Sequence, residues 1–247
     1  MRRSIPPGGA ILVRVSREPA VVDRSAYLTA TSVILVEGPS DRRAVEAAAR
    51  RLGRDLAAER VAVIAMGGVT NVGHYLRAFG PAGLGIRVAG MVDEGEAGFT
   101  ARHLAKLLPE VVRSPVDLAA AGFHVCVADL EEELIRAVTP AVVEALVEEQ
   151  RDLPAFRSLQ AQPAWRGRDK ADQLRRFFGS GAGRKIRYAP ALVNALDPAG
   201  LPEPLVRLLA SPNGGPSAGS GDAREVGGAD GPPAGTPPRP PGGRSAG

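Results

Sequence analysis

Glu37, Asp41, Asp93 and Asp129 are the residues whose spacing points most directly to chemistry. Glu37 follows the apolar run Val33-Ile34-Leu35-Val36. Gly38-Pro39-Ser40 then leads into Asp41, which opens the amphipathic stretch Arg42–Arg51. The pattern predicts a buried parallel strand, a turn and a helix. In open α/β sheets, ligands bind outside the carboxyl ends of the strands. Glu37 would stand at such an end, with Asp41 beside it in the first helical turn, and two converging acids suggest a cation site. Asp93 and Asp129 likewise close apolar runs, at the ends of predicted strands over Gly85–Val92 and Gly122–Ala128. A parallel sheet carries these ends to one edge, where crowded carboxylates repel one another unless a cation lies between them. Oxygen ligands without His or Cys suit Mg2+ or Mn2+ rather than zinc.

Each acid also has a plainer reading. Asp41 can serve the positive end of its helix, with Ser40 as N-cap. Asp129 can N-cap a helix that starts at Leu130, with Glu131 to Glu133 a solvated first turn, and Glu94 and Glu96 can be loop surface. Glu37 is harder to explain away, because a carboxylate that continues a buried strand must be paired or ligated. Other chemistries lack support. His74, His103 and His124 are scattered and read as structural or surface residues. Cys126, the single cysteine, sits in an apolar run and reads as a small buried hydrophobe, which excludes an internal disulfide. No GxxxxGK[ST] loop occurs. Gly67, Gly68 and Gly73 have the wrong spacing for a dinucleotide loop, and no Ser-His-Asp relay is spaced for catalysis.

The elements that must position these acids alternate. A helix over Asp41–Leu52 is closed by Gly53. A second strand runs over Val61–Met66, a helix over Asn71–Phe79 and a further helix over Ala97–Leu108. Helices over Glu131–Val138 and Ala141–Glu149 flank Pro140. Strands alternating with helices predict βαβ units in an α/β fold: a Rossmann-like parallel sheet of about four strands flanked by helices. From Leu153 onward only helices are expected, over Ala155–Ala161, Lys170–Phe178, Arg184–Leu196 and Pro204–Leu209. The chain therefore divides into a flexible N-terminal segment (1–24), an α/β domain (25–150), a helical extension (151–210) and a Gly/Pro-rich tail (211–247). That tail lacks the large apolar residues needed to offset ordering entropy and is expected to be disordered. Ala10–Val15 can form a short edge strand.

The formal net charge of +4 and a pI near 9.7 invite a polyanionic partner. Lysine occurs only at 106, 170 and 185, however, so the arginine excess also fits the codon bias of a GC-rich genome. The basic stretch Arg166–Arg187 is more telling, since Trp165, Phe177, Phe178 and Tyr188 accompany it. No run approaches a transmembrane span and no apolar segment follows Met1-Arg2-Arg3, so the expected location is the cytoplasm, with no membrane partner.

Val36-Glu37-Gly38-Pro39-Ser40-Asp41 resembles the opening motif of the Toprim domain, shared by topoisomerases, DnaG-type primases and OLD-family (overcoming lysogenization defect) nucleases. Asp93 falls where Toprim proteins carry the first acid of an Asp-x-Asp motif. The OLD branch is the most similar. Asp129-Leu130-Glu131 resembles its Asp-Leu-Glu element, Lys185-Ile186-Arg187-Tyr188-Ala189 its Lys-x-x-x-Ala setting, and Gly67-Gly68 with Asn71 the segment after its second strand. The resemblance spans roughly Thr31 to Leu196. It implies a Toprim fold and a magnesium-dependent (or manganese-dependent) phosphodiester-cleaving or phosphoryl-transfer enzyme acting on DNA. Glu37, Asp41 and Asp93 would hold one ion, and Asp129 and Glu131 would help hold a second. Lys185 would neutralise charge on the scissile phosphate, and Glu37 could instead shuttle a proton. Asp93-Glu94-Gly95 lacks the second aspartate, so Glu94 or Glu96 would have to substitute. Lys185, between Arg184 and Arg187, could also belong to a plain phosphate-binding helix. The ABC-type ATPase of OLD nucleases has no counterpart here and would be a separate partner or be missing. A non-catalytic nucleic-acid or nucleotide-binding module is the alternative, and a small-molecule phosphotransfer enzyme the third reading.

Overall fold

A computed structural model describes residues 29–181 and 183–214. The N-terminal segment with its candidate edge strand, and all of the tail beyond residue 214, lie outside the described residues. Four parallel strands form one sheet in the order β2-β1-β3-β4: β1 (Ser32–Val36), β2 (Val61–Ala65), β3 (Arg87–Asp93) and β4 (Phe123–Cys126). Ile34 pairs with Val63 on one side and Ala89 on the other, and Val92 pairs with Val125.

The continuous apolar run of β1 is explained by cover on both faces. Val33 and Leu35 join a core with Val72, Leu76, Ala101 and Leu104. These residues come from α2 (Val72–Phe79) and α3 (Glu94–Ala105). Ile34 and Val36 face the opposite core, built largely from α1 (Pro39–Arg51) and later helices. All four side chains are fully buried.

The helices beyond β4 are α4 (Leu130–Ala137), α5 (Pro140–Glu149), α6 (Leu153–Ala161), α7 (Lys170–Gly179), α8 (Arg184–Asn194) and α9 (Glu203–Gly214). They are not a separate bundle. Leu174, Phe177, Tyr188, Leu192 and Leu205 share one core with Ile34, Val36 and the alanine-rich face of α1. Ala44, Ala47 and Ala48 bring α8 close against α1, as their small side chains permit. Pro190 lies inside α8 and is tolerated there at the cost of one helical hydrogen bond. Among the described residues no helix is long and apolar enough to cross a membrane.

Several boundaries differ from expectation, among them α9, which runs to Gly214 and so takes in the first four residues of the expected tail; three others bear on the site. Helix α1 starts at Pro39, not Asp41, because proline's fixed φ suits the first helical position, so Gly38 rather than Ser40 is the N-cap. Helix α3 starts at Glu94, three residues before the expected Ala97, with Glu94 and Glu96 in the first turn, where acids favour the helix dipole. Strand β4 stops at Cys126 instead of reaching Ala128, whose φ of 64° turns the chain out of the sheet.

Candidate metal centre

Glu37 leaves the end of β1 held by its neighbours. Its carbonyl accepts hydrogen bonds from the amides of Gly67 (3.0 Å) and Gly68 (3.2 Å). Those two glycines have φ of 74° and 113°, a conformation that penalises any side chain. The Asn71 side-chain amide closes this turn by donating to the Met66 carbonyl at 2.9 Å. The Gly67-Gly68…Asn71 pattern is thus a clamp on the backbone of Glu37.

Beside it, Asp93 ends β3 and stands at the N-cap of α3, which brings Glu96 round one turn later. Carboxylate oxygens of Glu37, Asp93 and Glu96 all lie within 4.8 Å of one another. Among the described residues none of the three meets a cationic side chain, and Glu96 Oε2 is buried without a hydrogen-bond donor. The consequences appear in the acidities. Burial, followed by repulsion from Glu37 and Asp41, pushes Asp93 up to about 7. Burial and Glu37, with which it shares a proton when neutral, push Glu96 up to about 6. Three half-buried hard oxygen donors with an orphaned atom among them fit a divalent cation. Of the two acids that could substitute for the missing second aspartate, Glu96 lies in this group and Glu94 is solvent-exposed.

Asp41 stands at the rim of this group. Its Oδ2 accepts the Gly38 amide proton at 2.8 Å, tying the turn after Glu37 to the helix that follows. Burial, only partly offset by that hydrogen bond, raises its carboxyl to about 6, and Glu37 and Glu131 add to the rise. The plainer reading of Asp41 as a helix-start residue and the ligand reading thus describe the same side chain.

Asp129 sits three residues past the end of β4, not directly at it. It N-caps α4, with Oδ1 accepting the Glu132 amide at 2.8 Å. Its charge still reaches Asp93 and Lys185. The expected solvated turn of Glu131 to Glu133 is not solvated. Glu131 is buried, Glu132 meets Arg175 at 3.3 Å, and Glu133 accepts the Val127 amide at 3.0 Å. Lys185 comes in from α8 to place its Nζ 2.7 Å from Glu131 Oε2, an ion pair whose direction is off the hydrogen-bond axis. Burial alone would lower the Lys185 pKa. Glu131, with Asp129 and Asp41 behind it, outweighs burial and raises it. Arg184 and Arg187 turn elsewhere, both to Asp152, which also accepts a hydrogen bond from Tyr188 Oη at 3.0 Å. Lys185 is thus the one basic residue of its triplet aimed at the acids.

A parallel sheet with acids gathered at the carboxyl ends of β1 and β3, and a lysine brought in by a later helix, is the arrangement expected from the Toprim resemblance. More specifically, residues 28–94 match the family model described as overcoming lysogenization defect protein-like, TOPRIM domain. The C-terminal region of the Xanthomonas campestris pv. campestris OLD protein is 23% identical, with a TM-score of 0.57 over 74% of this chain and 94% of that one. The C-terminal region of the Burkholderia pseudomallei OLD protein is 22% identical, with a TM-score of 0.54 over 74% and 97%. These likenesses establish a common fold. No curated protein matches the chain.

Proposed function

We propose that the protein is a metal-dependent DNA endonuclease of the OLD-like Toprim type. The observation that carries this reading is the convergence of Glu37, Asp93 and Glu96 within 4.8 Å without a cationic partner. Glu37, Asp93 and Glu96 would hold a Mg2+ or Mn2+ ion, with Asp41 behind them, and Asp129 and Glu131 would contribute to a second. Such ions supply activation of the attacking water and stabilisation of the leaving oxygen. The chain's own residues do the remaining work. The glycine clamp fixes Glu37, whose carboxylate can take up a proton from the attacking water. Lys185 is half exposed and can pass from Glu131 to a phosphate oxygen as negative charge builds there.

A second reading, a module that grips nucleic acid without cutting it, draws on one observation: Lys185 is already neutralised by Glu131. Nicking of supercoiled plasmid in Mg2+ or Mn2+ separates the two. The nuclease reading expects nicking by the wild type that is lost in Glu37→Gln and in Lys185→Ala. Absence of nicking, or nicking that survives Glu37→Gln, refutes it.

A further inference from the structure

The basic, aromatic stretch before α8 has no part in the metal centre, yet it forms a groove that leads to it. Trp165, Arg168, Asp172, Arg175, Arg176 and Gly179 line a depression of about 350 Å³. That is space for about one nucleotide. The guanidinium of Arg168 lies 5.4 Å from the indole centroid, and that of Arg176 lies 6.0 Å away. Asp172 is held by Arg175 at 3.0 Å, and Arg175 also meets Glu132, so these charges are spent locally. Among the described residues neither Arg168 nor Arg176 meets a carboxylate. Arg168 Nε donates only to the Ala164 carbonyl, and both arginines are exposed. The groove therefore offers two uncompensated cations close to a half-buried flat ring.

Its far end borders the candidate active residues. A Cβ built on Gly179 would lie 3.9 Å from Lys185 Cε, so the groove wall and the lysine stem are in contact range. Arg175 touches Glu132, whose amide is capped by Asp129. A strand lying along this path would pass Trp165 on its way to Lys185.

We propose that the groove seats one unpaired nucleotide of the DNA strand next to the scissile phosphate. The base stacks on Trp165, and its phosphates are taken by Arg168 and Arg176. Its place next to the scissile phosphate rests on the nuclease reading above; the single-strand site does not. Base–aromatic stacking combined with cationic contacts to the backbone is how proteins hold single strands without sequence preference. Stacking on Trp165 needs an unpaired base, which favours a single strand over a duplex.

Trp165 is the chain's one tryptophan, so its fluorescence reports the site directly. Titrating the full chain in EDTA with a short oligothymidylate is expected to quench that emission, whereas an abasic strand of equal length quenches weakly. Arg168→Gln/Arg176→Gln, both at exposed positions, should weaken binding about tenfold or more at low salt. The slope of log affinity against log salt should fall by about 0.7 for each arginine removed. Trp165→Ala should lose about tenfold, read by anisotropy of a labelled strand. Trp165→Phe should retain most binding and guards against a folding defect, since the ring also packs on the core. Unchanged quenching or unchanged affinity in the double arginine variant overturns the proposal, as does equal binding of a duplex of the same length. A wild type that binds and quenches as described but never nicks plasmid leaves this site standing and removes the nuclease reading. Nicking with no arginine effect on strand binding does the reverse.

Discussion

Replacing Glu96 by glutamine should make the metal-free protein more stable. Two unit charges 4.8 Å apart repel by about 1 kcal/mol under water-like screening and about 3 kcal/mol at the intermediate dielectric suited to a protein surface. Glu96 has two such neighbours, Glu37 and Asp93. All three are partly solvated, so the relief after screening is about 1–2 kcal/mol. For a protein of this size that corresponds to a rise of about 2–8 °C in Tm. The effect carries a pH signature. The folded-state carboxyls of Asp93 and Glu96 titrate near 7 and 6, above the range near 4 expected of an unfolded chain. Between those values the folded protein binds more protons than the unfolded one, so wild-type stability falls as pH rises through the window. Glu96→Gln should therefore flatten this decline, with its advantage large near pH 8, smaller near pH 5 and absent below about pH 4. Added Mg2+ reverses the order: saturating ion stabilises the wild type by mass action, and the variant responds less. Thermal unfolding in EDTA and in Mg2+ across this pH range measures all of it. A Tm in EDTA near pH 8 that is unchanged or lowered by Glu96→Gln would refute the view that these carboxylates are held in mutual repulsion.

Two further outcomes test the scaffold under the site. A methyl group on Gly90 would come within 2.3 Å of the Phe123 ring, so Gly90→Ala should cost about 1–3 kcal/mol by overpacking the β3–β4 pair. A lower urea midpoint shows this, and Phe123→Leu should recover part of it. Cys126 is fully buried, and burial, reinforced by Asp93 and Glu133, holds its thiol well above the usual range. Iodoacetamide near pH 8 should therefore leave the native thiol unmodified and alkylate it once the chain is denatured. Rapid labelling of the folded protein would contradict the packing of β4.

The parts of this fold that were legible in the sequence are those in which burial writes a simple pattern. Val33 to Val36 read as a strand because both faces of β1 are covered, and Glu37 was conspicuous because nothing polar belongs at the end of such a run. Glu96 was harder to place. Its role depends on α3 beginning immediately after Asp93, which turns what looked like a surface loop into the first turn of a helix. Asp129 misled in the opposite sense. The apolar residues Val127 and Ala128 extend the strand pattern by two positions, but the left-handed turn at Ala128 moves the acid onto a helix cap. The pairing of Lys185 with Glu131, and the diversion of Arg184 and Arg187 to Asp152, depend on how α8 is rotated against α4 and α6. No local periodicity encodes that rotation.

The alanine face shared by α1 and α8 has a consequence for how the protein reaches this state. Glu37 and Lys185 belong to helices and strands at opposite ends of the described chain, yet one continuous core fixes both. Contacts of such high sequence separation slow folding, because the loop between them must close before the contact is rewarded. During synthesis the sheet edge with its acids would emerge first and wait, its α1 face uncovered, until α8 arrived. The lysine is therefore delivered late in assembly, with only α9 still to pack on the same core. In native-state hydrogen exchange, the amides of α1 and α8 should open together as one cooperative unit.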